Sequence, residues 1–364
     1  MPEFIPGLEL AGLYYHEAVR PILQAEAPEL VYSAGLIGSG SEVLGFDTAM
    51  SADHSWGPRV ILFLSEEDHS RLAGALQETL GYRLPFSFRG YPTHFEELAD
   101  EPGVVLPRLT DRRPIKHRVE ITTLPGFVRR YTGAELDREL TALDWLTIPE
   151  QKLRTLVAGA VYHDGLGVLE AMRQRLAHYP GQVWLYLLSA QWQRISQEEP
   201  FVGRTGFVGD EVGSAVIAAR LVHDIMQLCF LMEKQYAPYA KWFGTAFAQL
   251  DCAGRLSPVL ERILRSQRWR EREEHLSAAY EQVTTMHNQL GITAAVPTEV
   301  SRFHNRPFMV IQAEAIAKAI WEAIEDDEVK ALPYGVGKID QYVNSTDILS
   351  HTDRCRKLGI LYGE

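Results

Sequence analysis

Apolar residues change their spacing once along this chain, near Trp145, and that change sets what it can fold into. Before it, short β-branched runs alternate with helical stretches. Residues 30–37 and 57–64 predict two buried strands, and 117–124 predicts a third. Leu8, Leu10, Leu13, Tyr14, Ala18 and Ile22 recur at helical spacing and predict an opening helix over 8–24, bent near its end by Pro21. Ser65 followed by Glu66, Glu67 and Asp68 predicts a capped helix start running to about 80. The Pro/Gly-rich, aromatic stretch 81–107 reads as loops with short strands.

After Trp145 the pattern is helical: 149–161, 165–177, 183–196, 210–235, 239–250 and 258–286, with a last helix over 310–326. Val212, Ala215, Val216, Ala219, Val222, Ile225, Met226 and Cys229 form an apolar stripe of bundle type. The expected architecture is an α+β first domain, a small mixed sheet with flanking helices, over 1–144. An all-α helical bundle follows over 145–290, with a C-terminal helix and tail over 291–364.

The chain has 364 residues and a net charge of −12. That balance argues against a broad nucleic-acid surface, which needs a basic footprint. No apolar run approaches the roughly 20 residues of a membrane span, and the N-terminus lacks a signal-peptide pattern. With three dispersed cysteines, Cys229, Cys252 and Cys355, these features point to reduced thiols and a cytoplasmic location. Cys229 reads as a small buried hydrophobe.

The stretch 38–56 carries the chemistry: Gly38-Ser39-Gly40-Ser41-Glu42-Val43-Leu44-Gly45-Phe46-Asp47, then Ser51-Ala52-Asp53-His54-Ser55-Trp56. A Walker-type phosphate loop needs Lys after its last Gly, and a dinucleotide fingerprint needs Gly where Val43 stands. Gly40-Ser41, Gly45, Ser51 and Asp53 instead resemble the Gly-Ser…Gly…Ser-Asp-x-Asp pattern of polymerase-beta-type nucleotidyltransferases, with Ala52 as one extra residue. The glycine allows close backbone approach to phosphate oxygens, the serine adds a donor, and amides opening the next helix point at the same anion. Asp53 is then the magnesium ligand, and Glu120 on the third strand supplies the second carboxylate and the general base. Ser55 stands where the pattern has its second acid.

The resemblance extends to Phe4-Ile5-Pro6-Gly7-Leu8, Gly57-Pro58-Arg59, Asp210-Glu211-Val212-Gly213-Ser214 and the run from Tyr236 to Trp242. These are similar to an uncharacterised bacterial group whose helical half is domain-of-unknown-function family 4037 (DUF4037). That group commonly carries Asp at the position of Ser55. The resemblance implies an enzyme that moves a nucleoside monophosphate from ATP or another nucleoside triphosphate, with Mg2+, to a hydroxyl acceptor on a small molecule or macromolecule. Its nucleotide-binding residues would be Ser39, Gly40, Ser41 and Ser55, with Lys241 and Arg220 from the helical part. The alternative is a nucleotide-binding or partner-binding protein that kept the fold and lost turnover. Asp47 reads as a turn residue or a further loop acid, and Trp56 as packing beneath the strand. Asp210, Asp224 and Glu233 read as caps and surface charges, His163-Asp164-Gly165 as a helix end and cap, and Gly335-Val336-Gly337-Lys338 as a connector.

Overall fold

The computed structural model describes residues 3–51, 56–98 and 101–363, with 101–104 described by backbone alone. The chain divides into two compact units, one of Met1–Glu139 and Lys152–Ala177, the other of Leu140–Gln151 and His178–Glu364.

The first unit is built on a four-stranded mixed sheet: β1 (Ser33–Leu36), β2 (Arg59–Phe63), β3 (Arg118–Thr122) and β4 (Ala160–Asp164), in the spatial order β3-β2-β1-β4. β1 is antiparallel to both neighbours, and β2 runs parallel to β3. The three strands expected from the sequence are present. The fourth was expected within helices: 149–161 is a helix only over Glu150–Val157, and Gly159, at φ 76°, turns the chain into Ala160–Asp164. Leu153, Leu156, Val157 and Val161 mimic a helical repeat across that break, which hides the strand.

One sheet face is covered by an opening helix that runs without interruption from α1 (Gly7–Tyr14) through a π turn at Tyr15–Val19 to Glu26. Pro21 does not end it; the wider turn just before it relieves the clash of its ring with the preceding turn's carbonyls. Leu10, Tyr14, Val19 and Leu23 pack there with Val60, Leu62 and Val119 of the strands and Leu76 and Leu80 of α2 (Glu66–Arg83). Ser65 caps α2 as expected, its Oγ accepting from the Asp68 amide at 3.0 Å. On the other face Phe63 meets Phe127 of α3 (Leu124–Thr132) edge-on, with centroids 5.7 Å apart.

The second unit is dominated by helices. Its centre is α5 (Glu211–Met232), packed against α4 (Gly181–Glu198) and the pair α6 (Ala253–Arg265) and α7 (Trp269–Leu290). The stripe expected along α5 divides. Val212 and Val216 are exposed, whereas from Leu221 onward the helix is buried on nearly every side. On length and composition alone α5 could cross a bilayer, but most of its apolar window is buried inside the protein. The single helix expected over 258–286 is two, broken at Ser266, whose backbone is extended. Buried Arg272 holds that corner by donating to the Gln267 carbonyl at 3.0 Å and to Glu211 Oε2 at 2.7 Å. The tail adds α8 (Ala313–Glu322), which packs on α4.

Candidate functional site

β1 leaves the sheet at Leu36 and enters the turn 38–41. Because β1 is antiparallel to β2, and β2 parallel to β3, the end of β1 lies beside the starts of both. The turn, Arg59 and Arg118 thus share one end of the sheet. Arg59 and Arg118 are direct register partners, as are Ile61 and Glu120, so the two arginines and Glu120 lie on one face.

The Gly38 amide donates to the Thr155 carbonyl at 2.9 Å, which anchors the turn. Gly40 sits at φ 139°, and a Cβ there would collide with both the Arg59 guanidinium and the Glu42 carboxylate. Those two groups fill the concavity. Arg59 Nε donates to Glu42 Oε1 at 2.8 Å, Nη2 lies 2.6 Å from the same oxygen, and Nη2 also donates to the Ser39 carbonyl. Glu42 is almost fully buried.

Arg118 stands beside this pair, its guanidinium 5.7 Å from the Phe95 ring centroid. Burial pushes its acidity up and its pKa below the ordinary guanidinium value; the Arg59 charge adds to that, and Glu120 and Glu42 oppose it. Among the described residues no carboxylate lies within ion-pair distance of Arg118. Glu120 pairs with Arg130 of α3, and both are substantially exposed. The Tyr131 hydroxyl, 2.8 Å from Thr155 Oγ1, interacts with the Ser39 side chain as well, and burial holds its pKa above the ordinary phenol value.

Of the expected site residues, Ser39, Gly40, Ser41 and Glu120 come to this end of the sheet. The helix expected after the turn is a single 3-10 turn, Glu42–Leu44, stopped by Gly45 at φ 70°. Three residues build almost no macrodipole, so anion attraction here depends on side-chain cations. Ser41 closes that turn with its carbonyl, which accepts from Leu44 and Phe46. Asp53, His54 and Ser55 lie outside the described residues. Asp47 is structural: Oδ2 accepts from the Gly7 amide at 2.7 Å and Trp56 Nε1 at 2.9 Å. Trp56 is buried and stacks on Phe4, as packing beneath the strand required.

Arg220 and Lys241 belong to the second unit. Arg220 pairs with Glu198, and Lys241 Nζ sits 4.9 Å from the Trp242 centroid. Asp210 caps α5 and Glu233 caps the turn before α6, in line with expectation. Asp224 is not a surface charge: it is buried and accepts from Arg194 and Gln191. His163 and Asp164 end a strand, and Asp164 accepts from the amides of Leu169 and Glu170.

The sequence pattern missed the roles of Glu42, Arg59, Arg118 and Arg130. A signal was available: Arg59-Val60-Ile61-Leu62 and Arg118-Val119-Glu120-Ile121 each open an apolar strand with a charge. Among the described residues no group of three or more His, Cys, Asp or Glu could hold a metal ion.

No curated protein matches the chain. Among solved structures, a nucleotidyltransferase-like protein from Exiguobacterium sibiricum 255-15 aligns over 76% of this chain and 78% of its own, at 10% identity and a TM-score of 0.34. Residues 145–243 match the domain of unknown function DUF4037, the helical half of the group that the sequence resembles.

Proposed function

We propose that the first unit holds the phosphates of a nucleoside triphosphate, ATP first among them, at the 38–41 end of the sheet. The protein is then a nucleotidyltransferase that moves the nucleoside monophosphate to a hydroxyl of a small-molecule or macromolecular acceptor. One observation carries this: a glycine-opened turn, Arg59 and Arg118, which has no carboxylate partner among the described residues, meet at one end of one sheet. Guanidinium groups bind phosphate oxygens in pairs and keep their charge at all working pH values, so two of them beside this turn favour a polyanion. A phosphate arriving at Arg59 competes with the Glu42 carboxylate for the same donors.

In the transfer step the acceptor oxygen attacks the α-phosphorus, the bond to the bridging oxygen breaks, and pyrophosphate leaves. Arg59 and Arg118 neutralise the phosphates, and Glu120, released from Arg130, takes the hydroxyl proton. Magnesium would travel with the nucleotide. The described carboxylates do not make a site for it, since Glu42 is tied to Arg59 and Glu120 to Arg130. A second reading, binding without turnover, is favoured by that same Glu120–Arg130 pair and by Ser55 in place of an acid.

The test uses ATP labelled at the α-phosphate, magnesium and a cell extract. Transfer of label, abolished in Asp53→Ala and Glu120→Gln, supports the transferase. Binding that is weakened in Arg118→Ala, with no transfer, supports the binder. Absence of any nucleotide binding overturns both.

A further inference from the structure

Two cysteines separated along the sequence meet in the second unit. Cys229 lies on α5 with its side chain fully buried, and Cys252 stands at the start of α6, 2% exposed. Their thiols are in hydrogen-bonding contact. The backbone around them is clamped by Glu233, one turn beyond Cys229. The Glu233 amide donates to the Cys229 carbonyl at 2.9 Å, while its carboxylate accepts from the amides of Cys252 at 2.9 Å and Asp251 at 2.8 Å. Cys252 also lines a cavity of about 90 Å3 whose rim carries the exposed Arg255, Thr285 and Gln289. Cys252 thus borders space that opens toward an exposed rim, whereas Cys229 does not line it.

We propose that Cys229 and Cys252 form a redox-active dithiol that hydrogen peroxide converts to an intramolecular disulfide joining α5 to α6. The cavity sets the order of events. Sγ of Cys252 attacks one peroxide oxygen, the O–O bond breaks, and the thiol proton leaves with the departing oxygen as water, giving a sulfenic acid at Cys252. Sγ of Cys229 then attacks that sulfur. Its proton joins the sulfenic oxygen, a second water leaves, and two thiols and one peroxide have become one disulfide and two waters. The thiols need only close from contact to the roughly 2.05 Å of a disulfide bond, while the Glu233 clamp keeps the flanking backbone in place. Cys355, buried at the other end of the chain, takes no part.

The whole protein is treated with stoichiometric hydrogen peroxide and its thiols are counted under denaturing conditions. The count is expected to fall from three to one and to return to three with dithiothreitol. Non-reducing peptide mapping should find the Cys229 and Cys252 peptides linked. Cys252→Ser should retain both of its remaining thiols. Cys229→Ser should stop at a sulfenic acid on Cys252 that dimedone traps, which keeps the proposal testable if the first variant does not fold. Three thiols surviving in the wild type, a link through Cys355, or Cys252 passing to sulfinic acid without linking Cys229 would each overturn it.

Discussion

The two units hold acid–base clusters of similar composition in opposite settings. In the first, Glu42–Arg59 and Glu120–Arg130 lie at one end of a sheet, with Arg118 beside them and, among the described residues, without a carboxylate of its own. In the second, Lys338 is fully buried: Nζ lies 2.5 Å from Glu150 Oε2 and 3.4 Å from the Tyr179 hydroxyl. Asp340 joins that cluster by accepting from the Glu150 amide at 3.0 Å, and burial, opposed by Lys338, raises its carboxyl to about 6. The buried cluster pairs its cation, though Glu150 Oε1 is left without a hydrogen-bond partner, and it ties 338–340 to the start of a helix nearly 190 residues earlier in the chain. Among the described residues, the sheet-end cluster leaves a cation over. Charges in a fold thus divide by what remains unpaired: a closed set holds structure, and an open one is available to a ligand.

The sharpest way to break this contrast is Lys338→Met. It strands Glu150 and Asp340 without a cation and should cost about 3–5 kcal/mol in urea unfolding. A further Glu150→Gln change should recover part of the loss. If Lys338→Met is neutral, the buried cluster is not structural.

Acid tests the same cluster from its edge. His178 stacks on Tyr236 and meets Tyr179 and Trp184 edge-on; burial first, then the charges of Lys234 and Lys338, lower its pKa to about 4. Its folded value lies below its unfolded one. The stability it contributes is therefore full above about pH 6.5 and is lost as pH falls through about 4, amounting to about 3 kcal/mol. His178→Phe should flatten that limb of the stability–pH curve relative to the wild type, and an unchanged profile would show that the ring is solvated.

At the sheet end, Arg59→Met leaves the Glu42 carboxylate buried and unpaired, at about 1–3 kcal/mol. Adding Glu42→Gln should restore stability while ATP affinity stays about 10–100-fold below wild type in calorimetry. Recovery of both would make Arg59 merely structural. The smallest expected effect on stability is that of Glu120→Gln, because its pair with Arg130 is exposed: about 0–1 kcal/mol. Loss of label transfer without loss of stability would separate a working carboxylate from a packing one.

The sequence by itself determined much of the run of elements. Alternation and β-branching located three strands, Ser65 and Asp210 marked helix starts, and the glycine–serine turn after the first strand was legible because its φ angles admit little else. The match over residues 145–243 agrees with the resemblance drawn from those residues. Only the tertiary structure decided what each charge faces. Strand register put Arg59 beside Arg118. A turn rather than a helix brought Glu42 into the concavity. Packing joined Lys338 to Glu150 and Cys229 to Cys252. The physical reason is range: propensities and caps act within about one turn or one strand, whereas pairing between residues dozens or hundreds of positions apart depends on how whole elements pack, which no local pattern encodes.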